Sequence, residues 1–123
     1  MIKGNTGTLL LSGNNTHGAT TVNNGLLIVA GGSALSDAHL LTLNKNGSLG
    51  NLQLNNDETI GSLSGDGDIN LQANTLTAGD ASNTTYSGLL SGTGGGLTKS
   101  GTGNLTLSNT GTHTYTGDTT ING

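Results

Sequence analysis

The sequence predicts an all-β protein that folds as a right-handed parallel β-helix, a solenoid of about five coils. Three observations support this fold class: aliphatic residues recur at alternate positions in short bursts, Gly- and Asn-rich clusters separate the bursts, and one long motif occurs twice. Aromatic residues make up only 2% of the chain, with no Phe or Trp. A core of this composition has to be narrow, because few large side chains are present to fill a wide interior.

The alternating bursts predict short, half-buried strands. Every second side chain of a strand points to the same face, so the aliphatic members of each burst are expected to face the interior. We predict a structural core formed by Leu9, Leu11, Val22, Leu41, Leu43, Leu52, Leu54, Ile69, Leu71, Leu105, Leu107 and Ile121. In the same register, Leu10 and Thr106 face outward.

Polar clusters between the bursts predict turns. They lie at residues 12–15, 44–47, 64–67 and 91–96, and their glycines and asparagines tolerate the positive φ that sharp turns need. Residues 33–40 come closest to a helical pattern, but their position between strand bursts predicts a corner loop.

A chain of short strands can form a sandwich, a barrel or a solenoid. The first two need larger apolar residues to fill a core about 10 Å thick, whereas a solenoid fills a narrow column with stacked aliphatic side chains. Three short strands and their turns require about 20 to 25 residues per coil, which gives about five coils for this chain. Parallel crossovers are overwhelmingly right-handed, and this sets the predicted hand.

Two related copies of one motif lie at residues 3–25 and 99–123. Each copy begins Lys-x-x-Thr-Gly-x-Leu-x-Leu-Ser, continues to Thr-His, and ends with Thr-Thr-Val/Ile-Asn. Lys3 and Lys99, like His17 and His113, are separated by 96 residues. Repeated sequence of this length indicates repeated structural units that bury their apolar edges against their neighbours.

The second copy carries a family resemblance. Residues 94–108, GGGLTKSGTGNLTLS, and residues 115–123, YTGDTTING, resemble the autotransporter-associated β-strand repeat, also called the passenger-associated transport repeat. Residues 60–67 and 86–94 are similar to the usual lead-in to this repeat, and residues 6–27 extend the likeness. The spacing around Tyr115 departs from the family pattern, so the resemblance assigns no fixed role to the histidines.

The resemblance implies part of the passenger region of a type V secreted autotransporter or adhesin of a Gram-negative bacterium. Such passengers cross the outer membrane unfolded and then stack into a long β-helix outside the cell. We therefore expect residues 1–123 to form a single β-helix segment, an excerpt of a longer passenger, that is secreted or displayed at the cell surface. Its expected role is that of a non-catalytic scaffold that assists secretion and extends the protein from the cell, while other parts of the parent contact host or cell surfaces.

The end coils of such a segment would expose unpaired strand edges, and neither terminus has the sequence of a cap. We therefore expect copies of the chain to associate through their open ends into oligomers or filaments. In this interpretation residues 8–12 of one copy add onto residues 104–108 and 119–122 of another.

Charge and motif content argue against several other functions. Seven acidic residues against three lysines give a net charge of -4, which disfavours nucleic acid and anionic membranes as partners. We also expect no membrane insertion by this segment, because it contains no apolar run of spanning length. The expected activity is not enzymatic, with no catalytic residue, cofactor or metal.

The acidic and histidine residues are the candidates for a catalytic or metal site. Asp66 and Asp68 would lie about 7 Å apart on one side of a strand, near the carboxylate spacing of inverting glycosidases, but turn formation explains both. A calcium shell needs more oxygen donors than this stretch offers. His17, His39 and His113 lack the close spacing of a zinc site.

Two alternative functions remain. Threonines alternate along residues 110–116, and Thr75 with Thr77 and Thr84 with Thr85 extend the pattern, as in ice-binding β-solenoids that order water on flat threonine ladders. A carbohydrate-active β-helix is the other alternative. Such proteins bind sugars with aromatic and arginine side chains, whereas this chain has no arginine and only two aromatic residues, Tyr86 and Tyr115. We expect these tyrosines to pack at corners or to be partly buried with the hydroxyl reaching solvent.

Overall fold

The computed structural model describes residues 1–45 and 50–123, and the regular structure of these residues consists of strands in three parallel sheets. Sheet A contains β1 (Ile2–Lys3), β3 (Thr20–Val22), β5 (Leu40–Leu43), β8 (Ser62–Gly65), β11 (Thr84–Tyr86) and β14 (Leu105–Leu107). Sheet B contains β2 (Thr8–Ser12), β4 (Gly25–Ala30), β6 (Gly50–Leu54), β9 (Ile69–Asn70) and β12 (Leu90–Ser91). Sheet C contains β7 (Glu58–Ile60), β10 (Thr75–Ala78), β13 (Gly96–Lys99) and β15 (Thr119–Ile121). Residues 46 and 47 of the predicted turn at 44–47 lie outside the described residues.

The chain visits sheets A, B and C in turn, so each strand pairs with strands from the previous and the following coil. Partners in sheet A are 19 to 22 residues apart, as shown by Ile2 with Thr21 and Leu41 with Leu63. The six strands of sheet A mark five complete turns. The predicted all-β parallel solenoid is therefore confirmed.

The first two coils cross the third face without a strand. Residues 13–19 and 31–39 form irregular loops there, and the Asn15 amide donates a hydrogen bond to the Ser33 carbonyl (3.1 Å). The corner loop predicted at residues 33–40 is found in the second loop, and Leu40 already begins β5. Sheet C consequently starts at β7, with the loop of residues 31–39 in the place of an earlier strand.

Inward side chains stack in columns along the solenoid axis. Register in sheet A aligns one column of Val22, Leu43, Gly65, Tyr86 and Leu107. Backbone neighbours in such a column are about 4.8 Å apart, so successive side chains pack against each other, except at Gly65, which contributes no side chain. The core also includes residues that the alternation did not single out: Leu27, Val29, Ala34, Leu35, Ile60, Leu63, Leu76, Ala78, Tyr86, Leu90 and Leu97.

The burial of the predicted core residues depends on whether they lie in an inner coil or an end coil. Those in the inner coils are buried: Val22, Leu41, Leu43, Leu52, Leu54, Ile69 and Leu71. Those in the end coils are not fully buried, which corrects the prediction: Leu9 is 38% exposed, Leu107 37% and Ile121 74%, while Leu11 and Leu105 are half-buried. Leu9 and Leu11 do pair in register with the buried Leu27 and Val29. The end residues lack a further coil on one side.

The two motif copies have the same order of strands, but the corresponding strands lie on different sheets of the solenoid. In the first copy, Lys3 lies in β1 of sheet A and the Leu-x-Leu burst in β2 of sheet B. In the second copy, Lys99 lies in β13 of sheet C and the burst in β14 of sheet A. From β1 to β13 the chain completes four turns and crosses two more faces, so the 96-residue offset corresponds to four and two-thirds turns. The second copy is therefore rotated by a third of a turn about the axis.

Candidate functional site

The two ends of the solenoid carry most of its exposed large apolar side chains. We call β1, β2 and residues 13–19 the N-terminal end face, and β14, residues 109–118 and β15 the C-terminal end face. The exposed side chains at these faces are Ile2 (76%), Leu9, Leu10 (59%), Leu107 and Ile121. Among residues 1–45 and 50–123, each strand of the end faces pairs on one side only.

A lysine of each motif copy binds backbone carbonyls at a corner. Lys3 is buried, and its Nζ donates to the carbonyl of Asn5 (2.8 Å) and to that of Asn24 one coil later (3.0 Å). Lys99 is half-buried, and its Nζ donates to the carbonyls of Ser100 and Gly101 in its own corner. The motif lysine is thus a structural cation that holds the turn after its strand, and in the first copy it also joins two coils.

A buried carboxylate anchors the loop that covers the start of sheet C. Glu58 is 2% exposed, and its two oxygens accept hydrogen bonds from the backbone amides of Ala34 (3.2 Å) and Leu35 (2.9 Å). Burial raises the pKa of Glu58 above its ordinary value of 4.5, the two amides oppose this shift, and the negative charge of Asp37 adds to it. Sequence reasoning missed this residue because no local motif distinguishes an acidic residue that points into the core.

Threonines from successive coils form two outward-facing ladders. The sheet A ladder consists of Thr21, Thr42, Ser64, Thr85 and Thr106, and the sheet C ladder of Thr59, Thr77, Thr98 and Thr120. Neighbouring side chains in a ladder are about 4.8 Å apart along the axis. The hydroxyls of Thr42 and Ser64 are hydrogen-bonded to each other (3.1 Å). Residues 110–116, which the sequence suggested for such a ladder, instead lie in an irregular segment.

The acid pair Asp66 and Asp68 makes structural contacts. Asp66 accepts a hydrogen bond from the Lys45 amide (2.7 Å), and Asp68 accepts one from the Leu89 amide (3.0 Å). The second oxygen of Asp68 forms an ion pair with Lys45 Nζ (2.9 Å). These contacts tie neighbouring coils together at a corner, as the turn interpretation of the sequence expects.

The three histidines have separate hydrogen-bonding partners. His17 Nε2 is 2.9 Å from Thr20 Oγ1, His39 Nδ1 is 2.7 Å from Ser36 Oγ, and His113 Nδ1 accepts a hydrogen bond from the Leu90 amide (3.0 Å). Among residues 1–45 and 50–123, no group of three or more His, Cys, Asp or Glu residues has the geometry to hold a metal ion.

The two tyrosines occupy different environments. Tyr86 is completely buried, and its hydroxyl donates a hydrogen bond to the Gly67 carbonyl (2.6 Å). Burial raises the pKa of Tyr86 far above its ordinary value. Tyr115 is half-buried against the core, and its hydroxyl lies 2.6 Å from Thr119 Oγ1. Tyr86 is therefore a fully buried core residue, which neither expected use of the tyrosines describes, whereas Tyr115 is partly buried with an exposed hydroxyl, as the second expected use describes.

The surface has shallow depressions. One, of ≈ 330 Å³, lies over residues 14–16 and 33–37, and another, of ≈ 260 Å³, lies on the outer side of sheet B around Asn51 and Asn70. Asp37 is the carboxylate that lines the first, and Asp68 the one that lines the second, so neither depression places two carboxylates across a ligand. The described residues contain no helix that could cross a membrane.

The three parallel sheets and the repeated motif define the class of protein: a parallel β-solenoid built from repeated units. Residues 1–29 and 97–123 match the family model of the passenger-associated transport repeat, at the positions of the two motif copies. This family indicates an autotransporter passenger region, which implies a secreted or surface protein of a Gram-negative bacterium. No curated protein and no solved structure matches the chain significantly.

Proposed function

We propose that this chain is a non-catalytic structural scaffold within a secreted or surface-displayed autotransporter passenger, where it assists secretion and extends the protein from the cell. The observation that carries the proposal is the continuous core of buried apolar side chains that joins the two segments matching the passenger-associated transport repeat. The acid pair Asp66 and Asp68 is held by backbone amides and Lys45, which supports a role without catalysis.

The stacked architecture suits a chain that emerges from the outer membrane in an unfolded state. Each coil finds its hydrogen-bonding partners in the preceding coil, so folding can proceed from one end without waiting for distant segments. Fully burying one Leu or Ile side chain contributes about 1.5 to 3 kcal/mol. The folded stack therefore becomes more stable with every coil that folds outside the membrane, and this stabilisation opposes backward sliding of the chain.

Surface display of the chain tests the scaffold role. The chain would be placed between a secretion signal and an outer-membrane translocator in a Gram-negative host, and its display measured by antibody labelling and protease accessibility. Leu52→Asp puts a charge into the column, since Leu52 is completely buried, and should strongly reduce display. Gln53→Asp places the same charge on the adjacent outward position and should leave display unchanged. Equal display of both variants would contradict the proposal that column formation assists secretion.

We also propose that the end faces bind further copies of the chain. Unpaired strand edges and exposed apolar side chains occur together at both ends, and burying them against each other is favourable. Light scattering over a concentration series should show oligomers that grow with concentration. A single monomeric species at the highest concentration would refute self-association.

The outward ladders favour a second candidate function, that of an ice-binding solenoid. Each ladder presents one hydroxyl-bearing side chain per coil on a regular parallel sheet, as a surface that orders water requires. The measurement is thermal hysteresis near the freezing point. Replacing Thr77 and Thr98 of the sheet C ladder by leucine should abolish any hysteresis, whereas replacing Thr110 and Thr112 of the irregular segment should not. Absence of hysteresis in the unmodified chain would exclude this function and leave the scaffold proposal intact.

A further inference from the structure

The corner between β3 and β4 brings together an asparagine, a glycine and a buried lysine. We propose that this corner is a self-modification site, at which the side-chain amide of Asn24 is converted to a carboxylate through a cyclic imide formed with Gly25, and that Lys3 promotes the reaction. The conversion consumes one water molecule and releases ammonia. It goes beyond the scaffold role and does not depend on it.

The reacting atoms are adjacent in the folded chain. The Gly25 amide donates a hydrogen bond to Asn24 Oδ1 (2.8 Å), so the backbone nitrogen lies beside the side-chain carbonyl group. Because a carbonyl bond is about 1.23 Å long, this nitrogen lies within about 4 Å of Asn24 Cγ. Attack requires a separation of about 3 to 3.5 Å. A small rotation of the Asn24 side chain is therefore sufficient to bring the two atoms together.

Gly25 permits the backbone conformation of this corner. Its φ is 74°, in the left-handed region that residues with a Cβ rarely adopt. A Cβ at this position would also meet the backbone carbonyl oxygens of Asn5 and Gly7. Since Gly25 has no side chain, nothing on this residue hinders closure of the imide ring.

Lys3 places a positive charge on the peptide group that reacts. Its Nζ donates a hydrogen bond to the backbone carbonyl oxygen of Asn24 (3.0 Å), and this oxygen belongs to the same peptide group as the Gly25 nitrogen. When that nitrogen loses its proton, resonance shifts negative charge onto the oxygen. The ammonium stabilises the deprotonated peptide in the way that the donors of an oxyanion hole stabilise a developing charge.

The surroundings of Lys3 strengthen this stabilisation. Lys3 is 5% exposed, and its other hydrogen bonds go to the two carbonyl oxygens of Asn5 (2.8 and 3.3 Å). Among residues 1–45 and 50–123, no carboxylate forms an ion pair with Lys3. A buried charge with neutral partners interacts more strongly with a new negative charge than a solvated one does. Asn24 itself is half-buried, so water can reach it for the last step.

The atoms balance in two steps. In the first, the Gly25 nitrogen gives its proton to water and bonds to Asn24 Cγ, while the side-chain nitrogen of Asn24 takes up a proton and leaves as ammonia. In the second, water opens the imide. Cleavage between the Gly25 nitrogen and Cγ leaves an aspartate side chain at position 24, and cleavage of the other carbon–nitrogen bond leaves isoaspartate. Either product gives Lys3 a nearby carboxylate.

Peptide mapping by mass spectrometry measures this conversion. The folded chain and the chain unfolded in guanidinium chloride would be incubated at the same temperature and pH, and the converted fraction at Asn24 followed with time. We expect conversion about tenfold faster in the folded chain, because unfolding removes both the proximity of the reacting atoms and the charge of Lys3. Asn46 and Gly47 of the unfolded chain report the intrinsic rate of the same dipeptide. Asn24→Gln, which would have to form a larger ring, should remain unmodified.

Two variants test the role of Lys3. Lys3→Met should lower the rate in the folded chain about tenfold and leave the rate in the unfolded chain unchanged, because it removes the charge beside the reacting peptide. Lys3→Arg keeps a positive charge and should retain most of the rate. The Asn23 amide donates to the Lys3 carbonyl (2.8 Å), so its hydrogen exchange shows whether the corner stays folded in each variant.

A folded chain that converts Asn24 no faster than the unfolded chain would overturn the proposal. This comparison needs no substitution, so it decides the matter even if both Lys3 variants disrupt the corner. Equal rates for the native chain and a Lys3→Met variant with a protected Asn23 amide would overturn the role of Lys3. A tenfold loss in Lys3→Met with the rate restored in Lys3→Arg would support it.

Discussion

The strand with the sequence Thr-Thr-aliphatic occurs in both repeats, and its two copies differ sharply in burial. Val22 in β3 is completely buried, whereas Ile121 in β15 is 74% exposed. Both side chains occupy inward register positions, but β3 lies between β1 and β5, whereas β15 has β13 as its single partner among the strands that the structure describes. Sequence therefore determines the direction of a side chain in a solenoid, and the adjacent coils determine whether it is covered.

The largest expected effect on the free energy of unfolding tests this comparison with two residues of one inward column. Leu43 is completely buried between two coils, and Leu107 is 37% exposed in the last strand of sheet A. Leu43→Ala should lower the free energy of unfolding by about 2 to 5 kcal/mol, because it leaves a cavity in the column. Leu107→Ala should lower it by less than about 2 kcal/mol, because less area is removed from the core. Both values follow from urea titrations monitored by circular dichroism.

Equal losses for the two variants would contradict the role of neighbouring coils. Measurements on dilute protein are essential, since a joint between copies would bury Leu107 further. If self-association occurs, the cost of Leu107→Ala should rise with protein concentration while that of Leu43→Ala stays nearly constant.

The period of the aliphatic bursts is sufficient to predict the sheets, because alternation directly encodes which side chains face inward. Leu52 and Leu54 illustrate this: alternation predicts both as core residues, and both are completely buried. The exposure of Leu9 and Ile121 was not predictable from alternation, since it depends on which strand lies one coil away. The rotation of the second repeat was also hidden, because an offset of 96 residues reveals its fractional turn only when the length of each coil is known.

The threonine ladders and the contacts of Glu58 also could not be predicted from the sequence, because they join residues of different coils. Thr21 and Thr42 are neighbours through register across coils, so the ladder cannot be seen in any short window of sequence. Glu58 contacts the amides of Ala34 and Leu35 more than 20 residues earlier. Residues 110–116 look like a ladder in sequence but lie in an irregular segment, because alternation of threonine alone does not supply a paired strand.

The motif lysines provide a second way to test the comparison between repeats. Lys3 is buried and joins the corners of two coils, whereas Lys99 is half-buried and holds its own corner. Lys3→Met should cost about 1 to 3 kcal/mol, because buried carbonyls lose their charged donor. Lys99→Met should cost less than about 1 kcal/mol, since water can reach this corner. Thermal unfolding of the two variants compares them, and a larger loss for Lys99→Met would contradict the assignment.

The tyrosines give a similar contrast between an inner and an outer coil. Tyr86→Phe removes the donor to the Gly67 carbonyl inside the core and should cost about 1 to 3 kcal/mol. Tyr115→Phe removes a hydroxyl contact with Thr119 at the exposed end and should change stability by no more than about 0.5 kcal/mol. The difference is measurable by denaturant titration of the two variants side by side. Equal effects would show that the Tyr86 hydroxyl is not structurally important.

The smallest effect concerns the pH dependence of the loop over sheet C. Because burial raises the pKa of Glu58 in the folded state above 4.5, its ionisation opposes folding, and this cost develops as pH rises from 4.5 through the folded value. Glu58→Gln cannot ionise, so the stability of the native chain relative to this variant should fall over the same pH interval. Hydrogen exchange of the Ala34 and Leu35 amides reports the loop directly, since both donate to Glu58. A stability difference that rises with pH would mean that the two amides outweigh burial and that Glu58 acts mainly as an ionised anchor.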